Sequence, residues 1–134
     1  MATVPTRDPT RRLILPLPPS DNHAHVLVAR GARLLRAPSH ATAAYRDTVG
    51  WLARAWMAET GWTPPPPGVK VVLAYWVFWP DRRRRDAGNL VKVLADSLQG
   101  IVLADDQYLL PRAMDYAVDR AQPRLEARLW IARR

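Results

Sequence analysis

The 134-residue sequence contains no cysteine, which excludes disulfides, thiolate catalysis and cysteine-built zinc sites. No apolar run approaches the roughly 20 residues that a membrane-spanning helix requires. The first twelve residues, Met1 to Arg12, lack the apolar stretch of a signal peptide and read as a short flexible arm. A soluble chain of the reducing cytoplasm is therefore expected. His23 and His25 lie close enough in sequence to share a metal, but neither they nor His40 come with a cysteine or an ordered third ligand. Glycine-rich phosphate loops, serine elbows and HExxH patterns are also missing. Acids are scarce as well, with 12 Asp+Glu against 20 Lys+Arg and a net charge of +8.

That imbalance favours a polyanionic partner, nucleic acid above all, although a basic but otherwise inert surface has the same composition. An apolar content of 49% supports a real core, and the length suits one domain.

Leu13 to Leu17 reads as a short edge strand ended by Pro18-Pro19. Val26-Leu27-Val28 and Leu34-Leu35 flank Gly31 and suggest a hairpin. Ser39 caps a helix running to about Glu59, with Tyr45, Val49, Leu52 and Trp56 on its apolar face and Gly61 at its stop. The prolines 64 to 67 form a stiff connector rather than a domain boundary, because neither side is long enough for a core of its own. Val69 to Trp79 is a central strand, and Pro80 delivers the arginine run to the rim of the sheet.

A second helix spans roughly Asn89 to Gln99, with Leu90, Val93, Leu94, Leu98 and Ile101 inward and Asn89, Lys92 and Asp96 opposite. Strands follow at Tyr116 to Val118 and at Arg124 to Ile131. In the last one Leu125, Ala127, Leu129 and Ile131 point inward, while Arg124, Glu126, Arg128 and Trp130 point outward. The order β-β-β-α-β-α-β-β predicts an α/β (α+β) domain over residues 13 to 134, a mixed sheet packed by two helices.

The chemistry concentrates in Arg82, Arg83, Arg84, Arg85 and Asp86. Four consecutive guanidiniums cannot share one face and make a collar suited to phosphate oxygens, or else a solvated basic loop. Asp86 is either a helix cap and salt-bridge partner or a metal ligand. A nuclease needs carboxylates in a basic surface, since magnesium takes one or two of them plus waters and substrate phosphates. Asp86 and the pair Asp105-Asp106 are the candidates. Lys92 either pairs with Asp96 or reaches a phosphate. Outward-facing Trp130 suits base stacking or a dimer interface.

Taken together, Leu15-Pro16-Leu17-Pro18-Pro19-Ser20-Asp21-Asn22, Ala44-Tyr45-Arg46-Asp47, the segment Pro80 to Leu90, Lys92, Asp96 and Asp105-Asp106 resemble the RusA family. Its members are small, dimeric, magnesium-dependent Holliday-junction endonucleases, often carried by phages and prophages. The resemblance runs from about Leu13 to the C-terminus, and the arginine-run-to-helix segment is its most specific part. It implies Asp86 as a metal-binding catalytic aspartate, Lys92 as the lysine near the scissile phosphate, and Asp106 in preference to Asp105 as a further catalytic ligand. It implies DNA contacts from Arg82 to Arg85, Asn89 and Lys92. Branched DNA is the implied partner, a homodimer the assembly, and Mg2+ the cofactor, with Mn2+ as an alternative.

One position departs from the pattern. The family carries a second aspartate two residues after the one matched by Asp86, and here that residue is Gly88. The missing carboxylate leaves a second reading, a branched-DNA-binding protein that no longer cuts, unless Asp105, Asp81 or Asp96 makes up the loss. A third reading, a generic basic nucleic-acid-binding module, predicts no preference for branched over linear duplex.

Overall fold

The computed structural model describes residues 11–21 and 24–132. Its elements follow the expected order: β1 (Leu13–Leu15), β2 (His25–Arg30), β3 (Arg33–Pro38), α1 (His40–Thr60), β4 (Val71–Trp79), α2 (Val91–Leu98), β5 (Leu109–Val118) and β6 (Arg124–Ile131). Four strands form one sheet in the order β1-β6-β4-β5, with β4 parallel to β5 and antiparallel to β6, and β1 antiparallel to β6. β2 and β3 stand apart as a two-stranded hairpin rather than joining that sheet.

β4 is central because all nine residues suit a strand buried on both faces: Val, Val, Leu, Ala, Tyr, Trp, Val, Phe and Trp. Its odd-numbered side chains, Val71 to Trp79, join one core cluster with Val49, Ala53 and Trp56 of α1 and Val93, Leu94 and Leu98 of α2. Each such aliphatic side chain contributes about 1.5–3 kcal/mol by leaving water. The even-numbered Trp76 and Phe78 lie on the far face. There the guanidiniums of Arg12 and Arg124 cover the two rings at 3.6 and 4.0 Å from their centroids.

α1 starts and stops where its sequence says. The Ser39 hydroxyl accepts the Thr42 amide, and Gly61, at φ 75, closes the helix in the left-handed region. The hairpin turn places Gly31, at φ 62, between Arg30 and Arg33, with Ala32 at negative φ, as a type II′ turn demands.

Several expectations are corrected. Residues 11 and 12 are not a free arm: Arg11 pairs with Glu59 and its carbonyl accepts from the Trp56 indole, and Arg12 pairs with Glu126. The rest of the expected arm lies outside the described residues. Leu52 is exposed, and Ala53 takes the inward position on α1, because the helical face rotates past a strict heptad spacing. Ile131 is half exposed, at a cleft that it lines with Trp56 and Thr60 of α1. β5 extends from Leu109 to Val118 rather than being confined to residues 116 to 118. Pro111 and the charges Arg112 and Asp115 hid it, and an edge strand tolerates all three. The second helix begins with a 3-10 turn, Ala87–Leu90, and is α-helical only from Val91. Gly88 within that first turn is a poor helix former.

Candidate functional site

β4 and β5 are parallel and joined through α2, so the segment leaving β4 lies at the carboxyl end of a parallel strand, where open α/β sheets commonly hold ligands. Pro80 turns the chain out of the sheet, and Asp81 then fixes the base of the loop. Its carboxylate is ion-paired with Arg85 and accepts the Arg83 amide at 2.9 Å. Hydrogen bonding from Arg85, then from the Arg83 backbone, drives the Asp81 acid down to about 2. The Arg85 guanidinium also lies 5.1 Å from the centroid of the Trp79 ring. Arg85 is thus folded against its own loop. Arg82, Arg83 and Arg84 are exposed, and among the described residues none makes an ion pair.

Asp86 follows as an exposed residue on a ridge between two clefts. One, of about 490 Å3, lies between Leu17, Pro18 and Ser20 on one side and Arg84, Asp86 and Asn89 on the other. The second, about 660 Å3, runs from Asp86 and Gly88 to Asp115 and Tyr116 of β5. Asp86 caps the 3-10 turn: Oδ1 accepts the Gly88 amide at 2.8 Å, and its carbonyl accepts the Asn89 amide at 3.1 Å. No hydrogen bond among the described residues reaches its Oδ2. Beneath the turn the Tyr75 hydroxyl donates to the Ala87 carbonyl at 3.2 Å. Burial raises the Tyr75 pKa, and the charges of Asp21 and Asp86 raise it further.

The backbone of residue 88 does not require glycine, because its φ is not positive. A Cβ built there would meet Asp86 Oδ1 at 3.2 Å and nothing else closer than Asp86 Cγ at 3.9 Å. A side chain at residue 88 would therefore fit once the Asp86 carboxylate gives by a few tenths of an ångström.

Asn89 lies in the 3-10 turn and lines the first cleft. Lys92 is exposed one residue inside α2 and makes no ion pair among the described residues. The pairing with Asp96 that its spacing allowed does not form. Asp96 instead takes Arg46 of α1 at 3.5 Å.

Asp105 and Asp106 differ sharply. Asp105 caps the 3-10 turn Asp106–Tyr108, and both its oxygens are engaged by Gln107, at 3.0 Å from the backbone amide and 3.1 Å from the side-chain amide. Those bonds hold its acidity on the strong side of an ordinary aspartate. Asp106 is half-buried and shifted the other way, first by desolvation, then by hydrogen bonding to Asp105 and the charge of Asp96. Unlike that of Asp105, its carboxyl accepts from no amide among the described residues. Among the described residues no group of three or more His, Asp or Glu side chains is placed to hold a metal. Asp105 and Asp96 both act on Asp106, while the charges of Asp21 and Asp86 both act on Tyr75. His23 lies outside the described residues. His40 is exposed at the start of α1.

Two residues with no part in the sequence-based assignment belong to the site. Tyr75 supports the Asp86 turn from below. Asp21 accepts the backbone amides of Lys92 and Val93 at 3.4 and 3.2 Å, across 71 and 72 residues of chain. In the sequence Asp21 stands within the proline-rich segment of the family resemblance without a role of its own, and the one hint of its contact with α2 is that no capping side chain precedes that helix at Leu90.

In donor chemistry Asp86 fits a hard divalent cation: a carboxylate on an exposed residue, with one oxygen oriented by an amide and the other without a hydrogen bond among the described residues. The comparisons with known proteins agree in one direction. A family model described as "Endodeoxyribonuclease RusA" matches residues 16–129. The protein named "Crossover junction endodeoxyribonuclease rusA", from Enterobacteria phage 82, is 35% identical over 114 residues, which cover 81% of each chain.

Proposed function

Because the chain belongs to the RusA family of endodeoxyribonucleases, we propose that it cuts branched DNA at four-way junctions by metal-assisted hydrolysis of a phosphodiester. The observation that carries this reading is the position of Asp86: an open carboxylate on a ridge between two clefts, just beyond three exposed arginines that make no ion pair among the described residues. A phosphodiester lying along either cleft would have guanidiniums on its oxygens and a carboxylate at hand, the pairing that phosphate cleavage by a hard cation demands.

Asp86 and Asp106 would hold the cation, magnesium or manganese. When bound it activates water and offsets charge on the attacking and leaving oxygens. Asp106 is favoured over Asp105 because Gln107 already occupies both oxygens of Asp105. Arg82, Arg83 and Arg84 grip the backbone without reading sequence, and Arg85 keeps their loop in place through Asp81. Lys92, free of an ionic partner among the described residues, places its ammonium where negative charge grows on the phosphate. Asn89 lines the first cleft with Asp86 and donates to the sugar-phosphate backbone. Two copies in a homodimer would present two such sites to the two strands cut at a pseudo-symmetric junction. No helix among the described residues is long and apolar enough to cross a membrane. The place of action in this reading is the cytoplasm of a bacterial or phage-infected cell.

The test is a synthetic four-way junction incubated with the purified protein and magnesium or manganese. Paired nicks near the branch point are expected, with linear duplex left intact. A protein that binds the junction but leaves it whole under both metals would overturn the enzymatic reading in favour of a branched-DNA-binding role.

A further inference from the structure

α2 is an eight-residue helix that starts without a cap of its own. The residue before it is Leu90, whose side chain accepts no hydrogen bond, and the first turn contains no acid. Its leading amides are among the most costly groups to leave unpaired, and those of Lys92 and Val93 are satisfied from elsewhere. Asp21 reaches across from the proline-rich segment, its Oδ2 on the Lys92 amide at 3.4 Å and its Oδ1 on the Val93 amide at 3.2 Å. One carboxylate therefore meets two consecutive amides at the positive end of the helix, the geometry of an N-cap supplied by a distant part of the chain.

The segment bearing Asp21 is itself anchored. Pro18 is buried, and the Tyr45 hydroxyl on α1 donates to the Pro16 carbonyl at 3.0 Å. Leu17, Pro18 and Ser20 form one wall of the cleft whose other wall carries Arg84, Asp86 and Asn89. Asp21 thus ties the two walls together. It does so at the backbone of the one lysine that the cleavage chemistry uses, three residues after Asn89 and six after Asp86.

We propose that Asp21 is a positioning residue for strand cleavage: its carboxylate fixes the first turn of α2 and so sets Lys92 against the loop of Asp86. The proposal rests on the nuclease reading above and adds a residue to it. Asp21 touches neither DNA nor metal in this role. It acts through Lys92, and a carboxylate serves better than an amide because it satisfies both N–H groups and the helix dipole together.

The test compares Asp21→Ala and Asp21→Asn with the unmodified protein in junction cleavage at saturating and limiting junction, beside hydrogen exchange of the Lys92 and Val93 amides. Asp21→Ala is expected to lower kcat by about 10²-fold, the scale on which a misplacement of about 1 Å acts, while KM stays unchanged. Asp21→Asn, which keeps an acceptor, should recover most of that loss. Exchange at the two amides should quicken selectively in Asp21→Ala. Unchanged kcat in Asp21→Ala, or kcat and KM lost together with a general rise in exchange, overturns the proposal. If Asp21→Ala fails to fold, Asp21→Ser carries the same comparison. If the unmodified protein does not cut, the nuclease reading falls on that result alone, and the capping role is judged by exchange at Lys92 and Val93: no selective change there overturns it too.

Discussion

Arg46 of α1, and not Lys92 one turn away on α2 itself, takes the carboxylate of Asp96, at 3.5 Å. The lysine is thereby spared a structural duty. Lys92→Ala should leave the melting temperature within about 1–2 °C, as expected for an exposed side chain without ionic partners. It should reduce junction cleavage at saturating DNA by on the order of 10²-fold, the scale of losing one charge-stabilising group. Thermal unfolding and single-turnover cleavage on the same preparation check both halves. A loss of stability matching the loss of rate would contradict the assignment.

Asp86→Asn keeps an oxygen for the Gly88 amide and removes the charge. Cleavage is expected to fall by more than about 10²-fold, with junction affinity retained or slightly raised, since a negative charge leaves a basic surface. Gel-shift titrations without metal and cleavage assays with it separate the two effects.

Gly88→Asp places a second carboxylate beside Asp86, in space that is open except for the 3.2 Å approach to Asp86 Oδ1. The backbone accepts the change, so the fold should be unaffected. Cleavage at limiting magnesium is expected to rise, because a further carboxylate beside Asp86 strengthens the hold that Asp86 and Asp106 have on the cation. Equal rates across a magnesium titration would show that the residues already present suffice.

The arginines should separate by salt dependence. Replacing Arg82, Arg83 and Arg84 by alanine removes up to three phosphate contacts, and the slope of log affinity against log salt should shrink by as much as about 2.7. Arg85→Ala should change that slope little, because its guanidinium is committed to Asp81 and Trp79.

Acidification tests the same pair. Asp81 in the folded protein titrates at about 2, below the roughly 3.9 of an unfolded aspartate. A depressed acid stabilises the fold above its unfolded pKa and loses that effect as pH falls through the folded value. The contribution of the Asp81–Arg85 pair should thus persist from neutrality to about pH 4 and fade between there and about pH 2. Because Asp81 is exposed, the effect is small, and it is best followed by the Trp79 fluorescence difference between the unmodified protein and Asp81→Asn.

Much of this architecture was legible in the sequence because local rules and tertiary demands coincide. Ser39 and Gly61 bracket α1, the β-branched and aromatic run of β4 names the central strand, and alternation marks β6 up to Trp130. β5 escaped because an edge strand need not alternate: from Pro111 to Val118 every residue is exposed, so burial left no pattern to read. At the site, Asp86 and the arginines announce themselves by clustering. What the sequence concealed were relationships between distant segments. Nothing local couples Asp21 to α2, assigns Asp96 to Arg46, or folds Arg85 back on Asp81 in preference to its three neighbours.

The sheet order has a consequence for how the molecule comes into being. Among the described strands β1 finds its only partner in β6, with Leu13 opposite Ala127, and β6 is also the antiparallel neighbour of the central strand. The first strand made therefore waits for the last, and β4 is closed on one side only when residues 124 to 131 arrive. Contacts so remote in sequence give a high contact order, and folding should be slow for a domain of this size. During synthesis the domain stays incomplete until β6 has left the ribosome, and the apolar flank of β4 is open to chaperones, or to mispairing, until then.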